Sequence, residues 1–406
     1  MNAPWDKLLR HSIFLFAVLA FAHLGCEGHG SEQASVPEWT LVRELTVGSL
    51  DGREDALTRI GSLALGTQEE VFVSQPDEFV VRVFDPEGHA RGKFAGQGDG
   101  PGEFRGMGPI RRLADTLYVF DFRNGRTSLF SEDGRFLYSF QYAPPELGEG
   151  LWPVPTWLLE DGTVLVDPGY VMAAVADGTV SEIPVVRTTR EGEVLDTVAT
   201  YPLRSRPFAG REGSTSFGSD NPFPYNPKIA YSPSQRELII VDAPVSRSGE
   251  RTTFSVLRLS LDGDTVGIHR IPFEPVELPG PVKDSVIDAE VEGYTRGPSP
   301  LIRSRRTART DIEKAWDLPD FYPPVSSVQI GSDGRIWIRR EDLPGPLLWW
   351  DLLAPQGTVV ARFRLPSGLD LRDSRGAVVW GTERDQLGVD YLVRFRITEH
   401  AESPGG

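Results

Sequence analysis

From residue 38 onward, apolar and polar positions alternate in short runs cut by Gly, Pro and Asp-Gly turns, the two-residue period of half-buried strands. The runs repeat. Val71-Phe72-Val73, then 81–84, a turn at 85–88 and 90–94, align with Leu117-Tyr118-Val119, 128–130, a turn at 131–134 and 136–140, so that Gly88 and Gly134 hold the same place 46 residues apart. The same strand, turn, strand unit recurs at 183–200, 254–272 and 347–365, around Gly192, Gly263 and Gly357. Each unit with a preceding inner strand predicts a four-stranded propeller blade. A sixth begins at 369–372, 376–383 and 390–397 and runs out of chain before its outer strand. Residues 39–47 (WTLVRELTV) supply it. The expectation is an all-β, six-bladed β-propeller over residues 39–398, closed by pairing of the N-terminal strand with the C-terminal strands, which leaves no exposed sheet edge at the seam.

The segment AGQGDGPGEF at 95–104 and LYVFDFRNGRTSLFSEDGRFLYSF at 117–140 resemble the NHL-repeat-like six-bladed propellers of bacteria. That resemblance implies a structural pair of Asp121 with Arg126 across the turn that holds Asn124. In the first blade Gln75 and Val80 stand at the equivalent places. The later blades and NPFPYNPKIAY at 221–231 look like the divergent six-bladed lipoproteins of environmental bacteria, a group that implies no particular reaction.

The N-terminus adds an address. Lys7 and Arg10 precede a 13-residue apolar run at 12–24, followed by Leu24-Gly25-Cys26, which resembles a bacterial lipoprotein signal. Thirteen residues make a helix of about 20 Å, too short for a hydrocarbon core of about 30 Å. Residues 1–25 are expected to be a signal peptide, Cys26 the lipid-bearing residue, 26–38 a flexible tether and 399–406 a disordered tail; cleavage after Ala22 is the competing reading. The expected place is then the cell envelope, periplasm or outer membrane, with the membrane touched through the lipid only.

Charge and composition narrow the partners. Lys plus Arg number 42 against 58 Asp plus Glu, a net charge of −16, which disfavours nucleic acid and anionic lipid surfaces. A single cysteine rules out disulfide frameworks and Cys-rich metal sites within the chain. Gly96, Gly98, Gly100 and Gly102 do not lead into a helix, because Pro101, Gly106, Gly108 and Pro109 follow, so they read as a loop between blades. Neither a Gly-x-Ser-x-Gly elbow nor a Gly-Lys-Ser/Thr element occurs. His29, His89, His269 and His400 are scattered, and no cofactor is expected. Lactonase-type propellers hold calcium through carboxylate and Asn oxygens, for which Asn124, Asn221 and Asn226 are the available amides past the signal.

Two long insertions, 202–226 and 274–324, join an outer strand to the next inner strand and therefore emerge on one face with 95–108. The second, between blades 4 and 5, is expected to carry a short helix, with Thr310 and Glu313 as a capping box, Ile312, Ala315 and Trp316 at helical spacing and Pro319 as the stop. Arg303, Arg305, Arg306 and Arg309 are candidates to grip a carboxylate or phosphate, with Trp316 and Tyr225 as stacking partners; the structural alternative is that the arginines pair with Asp311, Glu313 and Asp317 or face solvent and that the aromatic residues anchor the loop core. The sequence favours a monomeric, lipid-anchored binding or scaffolding module for a small molecule, polymer or protein on the long-loop face. The alternative is a metal-dependent, lactonase-like hydrolase at the channel mouth.

Overall fold

The computed structural model describes residues 36–49, 56–170, 172–212, 215–245, 249–296, 302, 304–341 and 347–399. The expected signal peptide, Cys26, most of the tether, Arg303 and residues 400–406 lie outside the described residues.

Six four-stranded antiparallel sheets form the ring. The first blade is built from Ser62–Leu65, Val71–Gln75, Val80–Phe84 and Ala90–Phe94, the second from Met107–Leu113, Thr116–Asp121, Arg126–Ser131 and Phe136–Gln141. Blades three to five begin at Pro155–Leu158, Lys228–Ser232 and Val325–Ile330 and end at Val194–Pro202, Thr265–Phe273 and Val359–Pro366. Both faces of each inner sheet region press on neighbouring blades, so the second strands are buried along their length, as Val71–Gln75 is at every position. The outer strands are far more exposed because one edge of the blade meets solvent, as in Ala90–Phe94 and Phe136–Gln141. Between blades one and two, Phe72, Val81, Phe104, Ile110, Val119 and Phe130 make one apolar seam.

The hairpin from third to outer strand uses one turn in blades one to five, and blade six uses the same turn between its second and third strands. Gly88, Gly134, Gly192, Gly263, Gly357 and Gly388 all have φ between 82° and 99°, a region that favours glycine, and each donates its N–H to the carbonyl three residues back.

The sixth blade joins Leu369–Arg375, Val378–Arg384 and Asp390–Thr398 to Thr40–Val47 as its outer strand. The register runs from Thr40 opposite Thr398 to Val47 opposite Leu392, with a bulge between Arg43 and Leu45. The chain before this strand is fastened to blade five: Trp39 N–H donates to the Arg362 carbonyl at 2.9 Å, and Glu38 pairs with Arg364 at 2.6 Å. Closure of the ring is as the sequence led us to expect.

The insertion departs from expectation in its helices. It holds two, α2 (Gly280–Thr295) and α3 (Arg305–Trp316), while a shorter helix, α1 (Met172–Ala176), sits inside blade three. Helix α3 starts five residues before Thr310: Ser304 caps it by accepting from the Thr307 N–H at 3.3 Å, so Thr310 and Glu313 lie in its middle and form no capping box. The two long insertions form one lobe, in which Phe208 of the 202–226 loop packs on Ile287, Val291 and Tyr294 of α2 and Ala308, Ile312 and Trp316 of α3.

Candidate functional site

The innermost strands of all six blades surround a central channel with a cavity of about 570 Å³. It runs from Gly61 and Pro109, at the end nearer the long loops, to Glu160 and Ser234 in the short turns of the opposite face. The volume falls in the range of small-molecule sites, about 300–1,000 Å³.

Each blade contributes polar or aromatic groups. Arg111 of blade two lies over the Trp157 ring of blade three, 5.4 Å from its centroid, and Trp157 in turn stands 6.0 Å from the Tyr231 ring of blade four. Blades five and six add Gln329, Arg372 and Asp373. Two of the three channel arginines are neutralised: Arg112 pairs with Glu132 at 2.9 Å and Arg372 with Asp370 at 2.8 Å. Arg111 makes no ion pair or hydrogen bond among the described residues, so its charge is held only by the indole face, a cation–π contact worth about 0.5–2 kcal/mol. Tyr118 turns its hydroxyl to accept the Leu158 N–H at 3.2 Å, and burial raises its phenol above the ordinary range. Asp373 Oδ1 accepts the N–H groups of Ser332 and Ser374, both at 2.7 Å, yet burial wins and pushes its carboxyl up to about 6.

The residues expected to form the site are dispersed. Arg309 is spent on structure: it pairs with Asp284 and Asp288 of α2 and with Glu313 one turn on, at 2.7 Å for the latter two. Arg305 and Arg306 are exposed in the first turn of α3, with no ion pair among the described residues. Trp316 is 2% exposed in the core of the lobe, where its carbonyl accepts from Asn221 Nδ2 at 2.7 Å; this removes its ring from any surface ligand. Tyr225 is half-buried in the 221–227 segment above the Lys228 strand.

Asp121 and Arg126 face each other in register across the second and third strands of blade two, but their side chains do not bond each other. Asp121 is fully buried and accepts the N–H groups of Arg105, Gly106, Arg123 and Asn124. Arg126 donates to the carbonyls of Asp99, Gly100 and Glu103. The pair therefore acts in parallel, one group on the N–H side and one on the C=O side of the same glycine-rich loop. Gln75 does the equivalent in blade one, accepting from Thr58 N and Oγ1 at 3.0 and 2.9 Å.

The calcium alternative finds little support in this geometry. Asn124, Asn221 and Asn226 bond loop backbone or Asp121, and among the described residues no three His, Cys, Asp or Glu side chains converge to hold a metal ion. No described helix is long and apolar enough to cross a membrane.

No family model and no curated protein matches the chain. Among solved structures, a member of the DUF4221 family from Bacteroides vulgatus is similar at a TM-score of 0.52 and 11% identity, over 90% of this chain and 99% of that one. The PQQ-bound aldose sugar dehydrogenase of Streptomyces coelicolor aligns at 0.41 and 13% over 89% and 99%, and a catalytically inactive virginiamycin B lyase from Staphylococcus aureus, with quinupristin, at 0.41 and 10% over 89% and 100%. At these identities the likeness shows the propeller fold alone.

Proposed function

We propose that the chain is a binding module, exported and lipid-anchored through Cys26, that holds a small molecule in its central channel. The observation that carries this reading is Arg111: a half-buried guanidinium with no polar partner among the described residues, laid on Trp157 at the wall of a 570 Å³ cavity. A cation kept from full hydration and left without a counter-ion is a standing demand for an anionic or π-rich ligand. The metal-dependent hydrolase is not favoured, because no set of metal ligands assembles among the described residues.

The test is a thermal-shift screen of small carboxylates, amines and neutral compounds against the chain and its Ser234→Trp variant, in which an exposed rim residue of the channel becomes a plug. Hits that stabilise the parent and lose their effect in the plugged variant or in Arg111→Leu support the reading; hits indifferent to both changes overturn it. A second reading rests on Arg305 and Arg306, exposed and without an ion pair among the described residues: recognition of an anion on the long-loop face, which predicts binding that weakens with salt and with Arg305→Ser/Arg306→Ser.

A further inference from the structure

Beside the channel lies a second cavity of about 290 Å³, wedged between blades two and three. Its walls are largely apolar, and Pro109, Arg111, Tyr118, Trp157 and Leu158 line both it and the channel, so Arg111 stands in the wall the two share. The cleft opens on the long-loop face. Phe122, in the turn after the second strand of blade two, is 62% exposed at its edge, and Val154 is 37% exposed across from it. Trp152, 67% exposed, joins Val154 against Gly169. An exposed aromatic and an exposed valine at the mouth of an apolar cleft that ends on a half-buried cation are an unusual surface for a chain of net charge −16.

We propose that this cleft takes an amphipathic monoanion, an apolar or aromatic body with one carboxylate, the body seated between blades two and three and the carboxylate against Arg111. The inference deepens the channel-binding reading and rests on Arg111 being a ligand's counter-ion. A single charge is favoured because Glu160 and Asp373 line the channel beyond the shared wall and repel a second carboxylate. An apolar body is favoured because burying it in the cleft returns about 25 cal/mol per Å² of apolar area removed from water, and few polar side chains line the cleft to be left unpaired.

Hydrocinnamate, hydrocinnamyl alcohol and acetate separate the requirements in calorimetric titrations at low salt. Hydrocinnamate is expected to bind saturably, with the alcohol and acetate each at least tenfold weaker. Arg111→Leu abolishes the preference for acid over alcohol, Arg111→Lys retains it, and Val154→Trp, a bulky group at the exposed mouth, weakens hydrocinnamate at least tenfold while circular dichroism stays unchanged. Ser234→Trp leaves hydrocinnamate binding as it was. Acetate binding as tightly as hydrocinnamate, indifference to Val154→Trp, or no saturable binding of hydrocinnamate in the millimolar range overturns the proposal. If Ser234→Trp abolishes binding and Val154→Trp does not, the ligand sits in the channel, and the cleft assignment fails while the channel reading stands.

Discussion

Replacing Asp373 by Asn turns the channel wall into a measurable pH response. Asp373 is half-buried in the channel wall, and desolvation of its carboxyl pushes it from 3.8 to about 6 even though two backbone N–H groups and the nearby Arg375 favour its charged form. The proton is thus held more tightly in the folded chain than in the unfolded one. The favourable contribution is complete below about pH 4 and is lost as pH rises through about 6; above that, the ionised carboxylate costs about 3 kcal/mol at 1.36 kcal/mol per pH unit, less where channel water screens it. Asparagine keeps Oδ1 as the acceptor for Ser332 and Ser374 and has no charge to bury. With an unfolding entropy of about 2.1 cal/mol/K per residue over about 360 residues, 3 kcal/mol corresponds to about 4 °C. Differential scanning calorimetry should find Asp373→Asn more stable than the parent by up to about 4 °C near pH 8, the gap closing toward zero near pH 4. A gap that does not change with pH, or a variant less stable near pH 8, would refute the argument, since either outcome means that the ionised carboxylate is fully satisfied where it sits.

Two further outcomes test the frame of the ring. Deleting Thr40–Val47 uncovers the seam that Leu41, Leu45 and Val47 close, about 5 kcal/mol at about 1.5–3 kcal/mol per buried side chain; an unchanged denaturant midpoint would show that the seam does not hold the ring. Asp121→Ala leaves four N–H groups without their acceptor and should cost about 3 kcal/mol or more. The exchange of Asp121 and Arg126 for each other should not restore stability in chemical denaturation, whereas rescue by the exchange would mean that the two side chains pair directly.

The architecture was legible because its signals are local. Gly88 and Gly134 announce a hairpin turn within five residues, and WTLVRELTV is a strand wherever it lands. Helix α2 was not legible: Pro279-Gly280-Pro281 reads as a loop, only Ile287, Val291 and Tyr294 are buried along sixteen residues, and part of what they bury against, Phe208, comes from a different insertion. Proline in the first turn is nonetheless a good helix start. Asp121 and Arg126 were found through a resemblance, but the residues they hold, Asp99 to Gly106, lie on a loop whose path no pattern in the two strands encodes. The channel group was missed for a related reason. Arg111, Trp157, Tyr231 and Asp373 come from four blades, each an ordinary strand residue in its own stretch, and only ring closure makes them neighbours. Four arginines crowded in sequence around α3 drew notice instead, and the fold commits Arg309 to carboxylates of α2 and its own helix.

The strand that seals the ring is the first of the propeller to leave the ribosome, and its partner, Asp390–Thr398, is the last. At about 5–20 residues per second, Thr40–Val47 waits roughly 20–70 s for the strand it will pair with. During that interval it is an apolar edge strand with nothing to complete, open to any other strand nearby. Arg43 and Glu44 sit at its centre, where the bulge falls, and charges in mid-strand discourage edge-to-edge pairing with strangers. In the finished blade the same two residues meet dedicated partners, Arg43 with Glu383 and Glu44 with Arg394 and Arg396. The dipeptide that guards the strand while it is alone therefore also identifies the correct mate when it arrives, so its replacement by two apolar residues should show first as lost yield during synthesis, before any change in the assembled ring.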